Sequence, residues 1–177
     1  MTAANSSGRF GWVTRTLHWA MALGVLVMLP LGTVISDMEV SFSNLWLFGL
    51  HKSIGVVLMV LLVVRVAWHL ASPPPEPRPA DAVWKDWLAR WVHRAFYVLL
   101  VIVPLSGWIG SGATGIDVVV FDRVTLPPLA PLSEAWEEAA FAVHFVTTKL
   151  LALCVVLHVA GALMRRDGTL ARMVSGR

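Results

Sequence analysis

The sequence predicts an all-α integral membrane protein, a four-helix bundle with both termini cytoplasmic. Three observations lead there: an apolar composition, four long apolar runs, and a one-sided placement of Lys and Arg. Of 177 residues, 57% are apolar and 14% charged, and the mean hydropathy is +0.71. Soluble domains run roughly 45–50% apolar and about 25% charged, so the chain has too little polar surface for a soluble enzyme. A single Cys cannot build an intrachain disulfide framework. The length suits one domain, 1–177, with four spans of roughly 20 residues and their connections.

The first span, about 15–35, contains an apolar run from Leu17 to Ile35 broken by His18, Trp19 and the membrane-tolerated Gly24, Pro30 and Gly32, and is too long for a cleaved secretory signal. The second, 45–70, carries His51, Lys52, Arg65 and His69 in an aliphatic background. The third, 92–109, opens on His93 and Arg94 and closes on a breaker at Pro104, Ser106 and Gly107. The fourth, 141–164, holds His144, Lys149, Cys154 and His158. Each is long enough to cross a hydrocarbon layer of about 30 Å at about 1.5 Å per residue. Five Pro within residues 72–79 predict an extended linker. The Trp-rich stretch 81–91 reads as a separate amphipathic piece on the membrane surface. Residues 110–138 form the longest segment outside the spans.

With the N-terminus inside, eleven cations fall on the inner side: Arg9, Arg15, Arg65, Arg78, Lys85, Arg90, Arg94, Arg165, Arg166, Arg172 and Arg177. Only Lys52, Arg123 and Lys149 fall outside, which sets both termini in the cytoplasm. The basic excess faces lipid headgroups, so membrane lipid is the expected partner and no nucleic acid is needed to explain it.

All six His lie in or at the ends of apolar runs, where polar side chains are expensive and usually have a task. His144 and His158 are 14 residues apart, nearly four turns and about 21 Å of rise, so one helix offers two imidazoles on one face at two depths. By depth, His18 matches His158 inside and His51 matches His144 outside. Zinc needs four N, S or O ligands, and no Cys or carboxylate sits at these levels. Haem fits better: its flat apolar ring fills the space between helices and its iron accepts an imidazole on each face. With no Cys-x-x-Cys-His, such haem is non-covalent and of b type.

Haem propionates need cations. Arg65, 14 residues beyond His51, faces the interior at the inner level, and Arg15, near His18, is a second inner candidate. Lys52 and Lys149 are the outer candidates. His69 reads as a headgroup or propionate neighbour, with replacement of an inner ligand as the alternative, and His93 as a quinone hydrogen bond, a propionate contact or an interfacial residue. Cys154 and Tyr97 read as packing.

The chain resembles the bacterial cytochrome b561 family. The resemblance rests on Leu-His-Trp at 17–19, His-Lys-Ser-Ile-Gly at 51–55, Val-Val-Arg at 63–65, His93 four before Tyr97, Pro-Leu-Ser-Gly-Trp at 104–108, His144 with His158, and Asp-Gly-Thr-Leu-Ala-Arg-Met at 167–173. It implies four helices in the bacterial cytoplasmic (inner) membrane, two b haems, and axial ligation by His18, His51, His144 and His158. One branch of the family is similar to a superoxide oxidase that passes electrons to quinone. Seven acids against three bases in the outer segments disfavour an anionic substrate there, although Lys52 and Lys149 offer local positive charge.

The expected function is transmembrane electron transfer through two six-coordinate b haems, exchanging electrons with a ubiquinone-type quinone. Superoxide oxidation, and a haem-bearing anchor for a partner dehydrogenase, are the alternatives. The acidic outer face suits a basic periplasmic redox partner protein. A transporter using the His as relay groups is a third class, distinguished by the absence of a haem spectrum.

Overall fold

The computed structural model describes residues 2–176. These form the helices α1 (Trp12–Ser36), α2 (Leu45–Ala71), α3 (Val83–Ala113), α4 (Glu134–Met164) and a short α5 (Thr169–Val174), with strands β1 (Val118–Val120) and β2 (Val124–Leu126) between α3 and α4. Helices α1 to α4 are each long and apolar enough to cross a membrane. The protein is therefore a multi-pass membrane helical bundle. Four crossings bring the N- and C-terminal segments to one end, here the terminal end, and leave the β-hairpin at the other.

Two expectations about the third span need correction. Residues 83–91 are not a separate surface piece; they are the first turns of α3. Trp84, Trp87 and Trp91 repeat at helical spacing, no Gly or Pro interrupts residues 80–103, and the Asp86 carboxylate accepts the Ala80 N–H just before the start. Nor does the Pro104–Gly107 stretch end the helix, which continues to Ala113. Pro104 removes one backbone donor, a loss that membrane helices tolerate, and Ser106 Oγ bonds back to the Val103 carbonyl at 2.9 Å. Helix α4 also starts earlier than its apolar run. Ser133 caps it by accepting the Trp136 N–H, and Glu134 and Glu137 sit in the first turn, where the helix dipole favours acids.

Helix α3 packs along α4, α1 packs on α2, and the two pairs meet where α2 touches α3. The buried cluster of Met21, Val25, Leu58, Leu62, Leu99 and Leu151 draws on all four spans. Val25 is seven residues after His18, Leu58 seven after His51, and Leu151 seven from both His144 and His158. Seven residues are nearly two turns, so this apolar layer lies at mid-depth on the faces that carry the imidazoles. Large residues such as Leu23, Val63 and Leu163 stay exposed around the bundle, a surface suited to lipid.

Strands β1 and β2 pair antiparallel in the register Val118–Leu126, Val119–Thr125 and Val120–Val124. Phe121 and Asp122 close the turn with φ of 47° and 55°, left-handed values adopted without the glycine that normally marks such a hairpin. The hairpin is anchored to α2 by fully buried Ser53, whose Oγ donates to the Gly49 carbonyl at 2.7 Å and accepts the Phe121 N–H at 2.8 Å.

At the terminal end, the N-terminal segment, the Pro-rich linker and α5 interlock. Asn5 bonds Ser72 through both its backbone and side-chain nitrogens at 2.8 Å. Buried Arg172 donates to the Glu76 carbonyl and lies over the Phe10 ring. Arg165 pairs with Asp86 and Asp167, and Arg78 donates to the Asp167 carbonyl. Arg177, counted above among the inner cations, lies outside the described residues.

Candidate functional site

Imidazoles meet between helices at two levels. Near the hairpin end, His51 of α2 and His144 of α4 face each other with ring centres 6.2 Å apart and planes at 73°. Near the terminal end, His18 of α1 and His158 of α4 lie 6.1 Å apart at 54°. Two imidazoles sharing one metal, each bonded through a nitrogen at about 2 Å, place their ring centres about 6 Å apart. Both pairs have that separation.

The surroundings of the hairpin-end pair are built for a fixed ring. His144 Nδ1 is 2.8 Å from the Val103 carbonyl, and Ser106 Oγ is 3.4 Å from the same nitrogen. Donation from Nδ1 to that carbonyl leaves Nε2 with its lone pair, the second contact that orients metal-binding histidines. Gly107 makes the approach possible: a Cβ there would lie 3.1 Å from His144 Nδ1. Gly32 serves His51 similarly, since a Cβ would lie 3.2 Å from its Cε1. His51 Nδ1 is buried and has no hydrogen-bond partner among the described residues. Facing rings at metal-sharing distance, glycine slots and an orphaned imidazole nitrogen together fit a haem-type group.

The terminal-end level is richer than its pair of histidines. His93 packs edge-on against His158 at 5.1 Å, and Phe96 does so from 5.4 Å. Trp19 stands edge-on to His18 at 5.2 Å. Arg65 lies within electrostatic reach of His18, His69, His93 and His158. None of the ion pairs among the described residues involves Arg65. Its Nε donates to Tyr97 Oη at 3.4 Å, and Tyr97 Oη is 3.2 Å from His69 Nδ1. Sequence reasoning assigned Tyr97 to packing; only its position four residues after His93, one turn along the same helix, pointed toward this role.

The remaining cationic candidates separate. Arg15 donates to the Val174 carbonyl at 2.7 Å, which joins it to α5. Lys52 stays close enough to His51 for their charges to interact and donates to the Asp117 carbonyl at 3.2 Å. Lys149 is exposed and lies over the Phe145 ring.

Apolar spans enclosing facing imidazole pairs at two depths define a class: a membrane helical bundle arranged around buried histidines. The sequence profile of prokaryotic cytochrome b561 matches residues 9–176, and the chain belongs to that family. Membrane electron transfer with b-type haem is the property of this family. The chain is 35% identical over 183 residues to cytochrome b561 homolog 2 of Escherichia coli (strain K12), an alignment covering 98% of this chain and 95% of that one. It is 23% identical over 162 residues to the probable superoxide oxidase CybB of Yersinia pestis, covering 89% and 91%.

Proposed function

We propose that the whole chain acts as one membrane cytochrome domain, moving electrons across the bacterial cytoplasmic membrane through two b haems and exchanging them with a ubiquinone-type quinone. The observation that carries this reading is the pair of ring-centre separations, 6.1 and 6.2 Å, at two levels of one bundle. His18 and His158 would ligate the haem at the terminal end, the cytoplasmic side on the Lys and Arg count, and His51 and His144 the haem at the periplasmic, hairpin end. Haem supplies an iron that gains and gives up one electron. Two imidazoles on such an iron would leave no open position, which favours electron transfer over oxygen chemistry.

The chain's own residues do the rest. Val103 and Gly107 hold His144 in one orientation. Arg65 offers a permanent cation beside the inner imidazoles, with no carboxylate partner among the described residues, suited to the propionates of the inner haem. Lys52 is the outer counterpart. The layer around Val25, Leu58 and Leu151 keeps water from the space between the two levels. His93, packed on His158, is placed for a propionate or quinone contact.

A second reading, oxidation of superoxide with delivery of its electron to quinone, is favoured by the name of the Yersinia pestis relative and by the closeness of Lys52 to His51. The acids of the hairpin end weigh against it and favour a basic periplasmic redox partner. Pyridine haemochrome analysis of the purified chain tests the main reading. Two haems per chain are expected, with His51→Ala and His144→Ala losing one and His18→Ala and His158→Ala losing the other. A single haem, or loss of the same haem in His18→Ala and His51→Ala, overturns it.

A further inference from the structure

We propose that His69, controlled by Tyr97, is a proton acceptor coupled to the inner electron-transfer site, so that one electron arriving there draws one proton from the cytoplasmic side. The inference rests on the two-haem reading above and adds a proton to it. It starts from the hydrogen-bonded row Arg65, Tyr97 and His69, which links α2 to α3 at 3.4 and 3.2 Å.

The row has a direction. Arg65 is always protonated and has only donors, so its Nε–H occupies the Tyr97 oxygen as acceptor. In the assigned resting state the Tyr97 hydroxyl donates to His69 Nδ1, and neutral His69 carries its ring proton on Nε2. That Nε2 is buried without a hydrogen-bond partner among the described residues. His69 sits in the last turn of α2, immediately before the linker at the terminal end, where solvent begins. The opposite end of the row is the Arg65 guanidinium, within electrostatic reach of His18, His93 and His158. One cation thus joins the electron site to a titratable group at the membrane edge.

The charged and titratable groups facing this region are His18 from α1, Arg65 from α2, His93 from α3 and His158 from α4. Arg94, also on α3, turns away to the Trp91 ring. Asp86 and Asp167 are tied to Arg165. Among the described residues no carboxylate pairs with Arg65, so an added electron is felt strongly by the nearest imidazole able to take a proton.

The step balances simply. One electron from the donor lowers the charge of the inner site by one. One proton from cytoplasmic water binds His69 Nδ1, forming one N–H bond. The Tyr97 hydroxyl hydrogen turns away, and its oxygen accepts from both Nδ1 and Arg65. Oxidation reverses each move.

Redox titration of the haem-loaded full chain, followed at the alpha bands of the two haems across the imidazole range of pH, tests this. The inner-haem potential should fall as pH rises, by up to about 59 mV for each tenfold drop in proton concentration at one proton per electron. His69→Gln should flatten that slope, Tyr97→Phe should move the pH at which it bends, and the outer haem should keep its own profile in both. A pH-independent inner potential, an unaltered slope in His69→Gln, or an unmoved bend in Tyr97→Phe overturns the proton coupling while both haems remain bound. A preparation with fewer than two haems overturns the underlying reading instead.

Discussion

A Cβ on residue 107 would lie 3.1 Å from both Cε1 and Nδ1 of His144, and Nδ1 is the atom that meets the Val103 carbonyl. The branched side chain of Gly107→Val would therefore push the ring off its hydrogen bond. Contacts that orient a metal-binding histidine are typically worth about 10–100-fold in affinity. Haem titration of the apoprotein should show a loss of that order at the outer site, with inner binding unchanged. Arg65 raises a different matter, because its charge reaches four inner-side histidines and no ion pair among the described residues neutralises it. A nearby cation favours the reduced, more negative form of a redox group. Arg65→Leu should lower the inner-haem potential in a spectroelectrochemical titration and leave the outer one in place; equal potentials would assign Arg65 another partner.

Among the elements, α3 and the C-terminal segment hold the terminal end together. Asp86 in the first turn of α3 meets Arg165 just beyond α4 at 3.3 Å, and Arg165 also binds Asp167 at 2.6 Å. Burial alone would raise the Asp167 carboxyl, but hydrogen bonds from Arg165 and Thr169 outweigh it and hold the group well below the usual carboxylate range. A carboxyl depressed by folding stabilises the docked state fully above its unfolded value, near pH 4, and that contribution is lost as pH falls through the folded value. Hydrogen exchange of α5, corrected for intrinsic rates, should accordingly show firm protection at neutral pH and release in acid. Arg165→Gln should loosen the same helix at neutral pH.

For the molecule as a whole, four crossings place both terminal segments on one side, and the excess of Lys and Arg there predicts that this side is cytoplasmic. A reporter fused after the last residue should read as cytoplasmic; a periplasmic signal would invert every assignment of inner and outer. The mid-depth apolar layer keeps the two imidazole levels distinct while leaving them joined through α4. Two imidazole pairs therefore stand at two levels of one bundle, and the hydrogen-bonded row of Arg65, Tyr97 and His69 lies toward the terminal end.

The sequence by itself determined the class of this protein, the number of spans and the depth of each histidine along its helix, because apolar run length and helical rise are local quantities that need no tertiary contact. His144 and His158 share a face of α4 through periodicity alone, which is why their partners were legible by depth. Helix ends were less so: Pro104 and the Trp-rich stretch from residue 81 look like boundaries in one dimension, yet neighbouring helices and a few hydrogen bonds carry α3 through both. The hairpin was hidden for a related reason, since its left-handed turn uses Phe121 and Asp122 and is held by a serine 68 residues away. Tertiary structure alone decided that His93 lies against His158, that Arg15 turns to α5, and that Tyr97 bridges Arg65 and His69. Depth follows from counting residues along one helix, whereas the azimuth of a side chain toward another helix depends on how the helices pack.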